Sequence, residues 1–118
     1  GSRPSRNSMT MSRGDVVIVA APGDYGKPRP AVIVQSDALP ETHASIVICQ
    51  MTSDLGEADF RVMIEPEPGN GLSFTSQVMA DKPVTLRRER IGQRIGRLSA
   101  GDMARVQAAL ALVLGFAG

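Results

Sequence analysis

Arg29 stands between two prolines in GKPRP (26–30), directly before the apolar run AVIV (31–34). The second proline disfavours helical geometry at Arg29, and both rings restrict the loop, so the guanidinium is presented with little freedom left to lose. A planar, permanently charged group held in this way suits a phosphate or a developing oxyanion. It also suits a surface ion pair with Asp24 or Asp37, and the local sequence leaves both readings open. The second group is Thr52, where the apolar run SIVICQM (45–51) gives way to Thr-Ser-Asp. A hydroxyl at a strand end can orient a substrate oxygen, or it can open a turn through its own side chain.

Other chemistries lack their residues. His43 is the only histidine and sits in the polar connection ALPETH, where it reads as a solvated loop residue. Cys49, the only cysteine, lies in an apolar run and reads as a core thiol. There is no CxxC pair, no phosphate-cradling glycine loop and no GxSxG nucleophile, so neither a metal nor a cofactor is expected.

Charge is unevenly spread. The opening GSRPSRNS has no apolar periodicity and resembles an expression-tag remnant (1–8), leaving a single domain over 9–118 that starts at Met9 or Met11. Without Arg3 and Arg6, 13 basic residues fall to 11 against 12 acidic ones, and the formal charge moves from +1 to −1. Attraction to nucleic acid would then need a local patch. Residues 87–97 offer one, with five arginines against Glu89, whereas residues 54–67 carry five acids against Arg61. The basic segment fits a phosphate track or a set of surface salt bridges equally well. One thiol cannot form an internal disulfide, no secretory signal is legible and no apolar run spans a membrane, so a cytoplasmic location is expected.

The elements that must position these groups are mostly strands. DVVIVAA (15–21), AVIVQSD (31–37), ASIVICQMT (44–52) and FRVMIEPEPG (60–69) are bounded by Gly and Pro, and the second and third are apolar enough to be buried on both faces. SQVMADKPVTL (76–86) begins as a strand that Pro83 should break, and GQRIGRLS (92–99) is a short twisted candidate. Five or six strands at this spacing predict a small antiparallel barrel. Ser99, with Asp102 three residues on, opens a helix whose Met103, Val106, Leu110 and Val113 recur at helical spacing until Gly115. Leu112, Leu114 and Phe116 fall elsewhere on the wheel, which predicts a second subunit covering them.

RGDVVIVAAPGDYGKPRPAVIVQSD (13–37) resembles the opening of the MazF/PemK toxin family, in which an R-G-D-V/I strand leads through a loop ending in R-P to an apolar strand. CQMTSD resembles the family's strand-end threonine, and VMADKPVTL its segment of an acidic residue followed by Thr or Ser before an aliphatic one. With the helix from Ser99, the resemblance covers roughly residues 12–115. It implies a mainly β fold with a C-terminal helix, namely an SH3-like antiparallel barrel of the CcdB/PemK type, working as a homodimer. It further implies a metal-free endoribonuclease that cuts single-stranded RNA to leave 2′,3′-cyclic phosphate and 5′-hydroxyl ends, inhibited by an antitoxin whose flexible tail fills the RNA groove. On matched positions, Arg29 and Thr52 correspond to the catalytic pair and Asp81 to an acidic position that some members use. The residues expected to hold RNA are Tyr25, Lys27, Ser53, Phe74, Lys82, Thr85, Arg87 and Arg88. Val84 and Met79 depart from the basic residues of some members, which bears on the sequence cut. The same fold also serves CcdB-type gyrase poisons, but GFAG at the end lacks their tryptophan. An inactive binding module is the third reading.

Overall fold

The computed structural model describes residues 11–20, 27–58 and 60–116. Among the described residues, six strands form one antiparallel sheet: β1 (Asp15–Val19), β2 (Arg29–Ile33), β3 (Ser45–Thr52), β4 (Arg61–Ile64), β5 (Ser76–Arg87) and β6 (Ile91–Arg97). A 3₁₀ turn, Arg88–Arg90, links the last two strands, and α1 (Ala100–Val113) closes the chain. The order across the sheet is β4-β5-β3-β2-β1-β6.

The alternation expected of strands buried on both faces is present. Val16, Val32, Cys49, Met51 and Val78 point to one face and pack with Val106, Ala109 and Leu110 of α1. Val17, Val19, Ala31, Ile33, Ile46 and Ile48 point to the other and pack with Leu86 and Ile91. The buried residues of the second core all come from strands, so the sheet curls over itself to enclose them, and β5 is the strand that bends. Its partners step from Val78 opposite Met51 to Pro83 opposite Cys49, so residues 79–82 stand against Gln50 alone. Pro83 therefore does not break the strand as its type predicted. It falls opposite Cys49 at the end of a four-residue bulge, the kind of irregular site to which proline in a sheet is confined.

The expected barrel is not closed by a strand ladder, since β4 and β6 remain the two edges of the sheet. Residues 67–71 reach across that gap. The Arg97 N–H donates to the Gly69 carbonyl at 2.8 Å. A Cβ on Gly96 would lie 2.4 Å from the Asn70 carbonyl carbon, and one on Gly71 would lie 2.2 Å from the Ile95 carbonyl oxygen. Asn70, 1% exposed, fixes this turn by accepting from the N–H groups of Glu67 and Leu72 and donating to the Glu65 carbonyl.

α1 begins as expected, with the Ser99 hydroxyl accepting the Asp102 N–H at 3.1 Å. It ends in a paired-bond cap: Gly115 at φ 82° donates to Leu112, and Phe116 donates to Ala111. Leu112, Leu114 and Phe116 are exposed, as their wheel positions predicted.

Candidate active site

The two faces of the sheet change character along their length. On the face away from α1, the apolar row ends at Ala31 on β2 and Ile48 on β3, and the next positions outward are Arg29, Gln50 and Thr52. Register brings them together. Ala31 pairs with Gln50, and the same antiparallel register carried two residues further sets Arg29 opposite Thr52. Thr52 in turn pairs with Gln77 of β5, and Arg29 with Val19 of β1. Arg29, Thr52 and Gln77 thus form a polar row across three neighbouring strands, each about 4.8 Å from the next.

The row stands at the rim of the sheet beside a pocket of about 250 Å³ lined by Lys27, Pro28, Arg29, Pro30, Met51, Ser53, Phe74 and Ser76. Arg29 belongs to both row and pocket; Thr52 does not line it, because Met51 and Ser53, its neighbours that do, point to the opposite face of β3. Lys27 and Arg29 are the charged residues of this lining, which therefore favours an anion. Phe74 is 71% exposed, an open aromatic face beside the two cations. The Thr52 Oγ1 accepts the Asp54 N–H at 3.0 Å, so the hydroxyl does open a turn. That bond uses one acceptor lone pair and leaves the O–H able to donate. The turn and the substrate-orienting reading of Thr52 are compatible.

Two residues not foreseen from sequence hold the walls. Ser76 Oγ donates to the Phe74 carbonyl at 2.9 Å. Gln77 is 3% exposed; its Nε2 donates to the Gly56 carbonyl at 2.7 Å, and its Oε1 accepts the Gly56 N–H at 2.8 Å. The signal was a Ser-Gln pair directly ahead of the apolar run VMA (78–80).

The other expected residues stand elsewhere. Asp81 does not line this pocket: its carboxylate meets Arg61 Nε at 3.2 Å and Lys82 Nζ at 3.7 Å. Thr85 lines a larger apolar groove of about 570 Å³ with Val47, Pro83, Leu110, Leu114 and Phe116. Arg87 and Arg88 lie at the far end of β5 from Ser76, roughly 25 Å away as counted along the paired residues of β3. Arg87 approaches Glu89 at 4.0 Å, and Arg88 donates to the His43 carbonyl. In the same basic segment, Arg94 and Arg97 both reach the buried Asp15, at 3.2 and 2.8 Å. Two of its five arginines therefore serve an internal carboxylate. Tyr25 lies outside the described residues. Cys49 is fully buried, and burial, with Asp81 adding to it, pushes its thiol up to about 12.

The family model for PemK-like, MazF-like toxins of type II toxin–antitoxin systems matches residues 12–114. The chain belongs to this family. The family assignment agrees with a second comparison: the chain is 44% identical over 109 residues to the probable endoribonuclease MazF of Mycolicibacterium smegmatis, covering 92% of this chain and all of that one. Among solved structures, an endoribonuclease in complex with its cognate antitoxin from a mycobacterial species superposes with a TM-score of 0.79 at 24% identity, covering 92% of this chain and 99% of that one. MazF of Deinococcus radiodurans gives 0.73 at 23%, covering 88% and 96%. At these identities the two structures establish the MazF fold, and the family model and the 44% relative establish the toxin membership.

Proposed function

We propose that this chain is the toxin of a type II toxin–antitoxin pair, a sequence-specific endoribonuclease that cuts single-stranded messenger RNA and so arrests translation and growth. The observation that carries this reading is the Arg29–Thr52 row beside a cationic rim pocket, in a chain whose 44% relative is a probable endoribonuclease. The reaction asks little of the protein. A ribose 2′-hydroxyl gives up its proton and its oxygen forms a bond to the adjacent phosphorus as the bond from phosphorus to the 5′-oxygen breaks; the 5′-oxygen takes up a proton, leaving a 2′,3′-cyclic phosphate and a 5′-hydroxyl. The substrate supplies its own nucleophile, and no metal or cofactor is needed to make one. Arg29 stabilises the charge that gathers on the phosphoryl oxygens, and Thr52 donates its O–H to one of them. Ser53 and Lys27 hold the flanking phosphates, and Phe74 offers one base a stacking surface. Asp81 acts through Arg61 and Lys82 rather than as a wall of the pocket.

The remaining expectations fit the same reading. The curled sheet is an SH3-like barrel left open between β4 and β6. A homodimer covers Leu112, Leu114 and Phe116, and an antitoxin tail blocks cleavage by lying over the RNA site. The setting is the cytoplasm; among the described residues no helix is long and apolar enough to cross a membrane. End-group analysis of RNA fragments tests the chemistry. Fragments carrying 2′,3′-cyclic phosphate are expected, and 5′-phosphate ends would exclude attack by the 2′-hydroxyl.

A further inference from the structure

The loop that leaves Thr52 is fixed at two points. At its start, the Thr52 hydroxyl holds the Asp54 N–H. Four residues beyond Thr52, Gln77 takes both backbone groups of Gly56, one as donor and one as acceptor. Only one orientation of the carboxamide satisfies both bonds, so this amide is fully specified. The clamp is internal, because Gln77 is 3% exposed, whereas Ser53, Asp54, Leu55 and Gly56 are all exposed. Such an exposed loop buries little side chain to hold it. Ser53, which it carries, is a wall of the Arg29 pocket, and the neighbouring residue on β5, Ser76, tethers Phe74 on the facing wall.

We propose that Gln77 is the positioning residue of this site: by clamping both backbone groups of Gly56 it holds the 53–56 loop in the geometry that sets Ser53 against a flanking phosphate and, through the Asp54 N–H, the Thr52 hydroxyl against the reacting one. The role rests on the ribonuclease reading above. Gln77 touches no substrate and acts through the loop. Loss of the clamp leaves Lys27, Arg29 and Phe74 in place to bind RNA, while the loop that holds the Thr52 hydroxyl through the Asp54 N–H shifts and lets that hydroxyl turn from the reacting phosphate. A displacement of about 1 Å at such a group costs on the order of 10²-fold in rate. The signature is a fall in kcat with KM little changed.

Two kinds of variant test this in the full chain. Gln77→Leu removes the amide while keeping its bulk. Gly56→Pro removes the donor from the loop side, and its melting curve is measured first to show that it folds; Gly56→Ala, whose added Cβ meets nothing within 4 Å and which keeps the N–H, is its control. Cleavage of a defined RNA oligonucleotide should show kcat down at least tenfold for Gln77→Leu and Gly56→Pro, KM within about threefold, and Gly56→Ala close to the parent. Hydrogen exchange of the Gly56 amide should quicken in Gln77→Leu. Parental kcat in folded Gly56→Pro, or unchanged Gly56 protection in Gln77→Leu, would overturn the proposal. Should the parent chain cut no RNA at all, the ribonuclease reading fails by itself, and the exchange measurement alone decides whether the clamp holds the loop.

Discussion

Arg29 and Thr52 carry the chemistry by different means, and their variants should separate accordingly. Thr52 holds one exposed turn through a single hydroxyl bond, so Thr52→Ala should cost about 1 kcal/mol of stability or less and most of the cleavage activity. Thr52→Ser keeps the hydroxyl and should keep a measurable rate; equal loss in both variants would mean that the methyl group, not the oxygen, matters. Cys49 offers a check on the core. With its thiol pushed up to about 12 by burial, it should resist thiol reagents in the native chain at pH 8 and react on denaturation. The sign for stability follows from proton counts. Between an unfolded thiol pKa of about 8.5 and about 12 the native state keeps a proton that the unfolded chain has released, so this residue's contribution falls as pH rises through that window. Stability measured across it in the parent and in Cys49→Ala should diverge in that direction, and parallel curves would contradict the burial argument.

At the scale of elements, the close approach of the 67–71 turn to β6 joins the two edges of the curled sheet. Gly96→Ala would push a methyl group against the Asn70 backbone and should cost about 1–3 kcal/mol, lowering the melting midpoint by several degrees. Gly101→Ala, inside α1 with nothing within 4 Å, should be neutral or stabilising. Equal midpoints for the two variants would mean that the turn can swing away from β6. That contact was not legible in the sequence, because it depends on which strands become neighbours. The strands themselves were legible, since alternation and Gly/Pro punctuation are local. Pro83 misled for the same reason: its type argues against a strand, and only the partner strand reveals the bulge that admits it. Arg29 and Thr52 drew attention through composition and family resemblance, whereas their facing each other needs the β2–β3 register. Gln77 remained hidden because its partner is the backbone of a glycine 21 residues away.

The whole molecule presents two surfaces of opposite kind. The rim pocket is cationic and small, while α1 leaves Leu112, Leu114 and Phe116 bare beside an apolar groove. Covering that groove is the reason to expect a dimer, and light scattering should return twice the chain mass at micromolar concentration. Replacing Leu112 and Phe116 together by glutamate should shift the mass toward the monomer; an unchanged dimer would place the interface elsewhere.

The most direct measurement of the central claim is cleavage of a mixed-sequence RNA in excess chelator by the parent chain, Arg29→Ala and Thr52→Ala, each first shown to be folded by its melting curve. The account predicts parental cleavage undiminished by chelator and both variants reduced at least a hundredfold, in line with loss of a transition-state contact. Near-parental cleavage by folded Arg29→Ala, or activity abolished by chelator and restored by Mg²⁺, would contradict it.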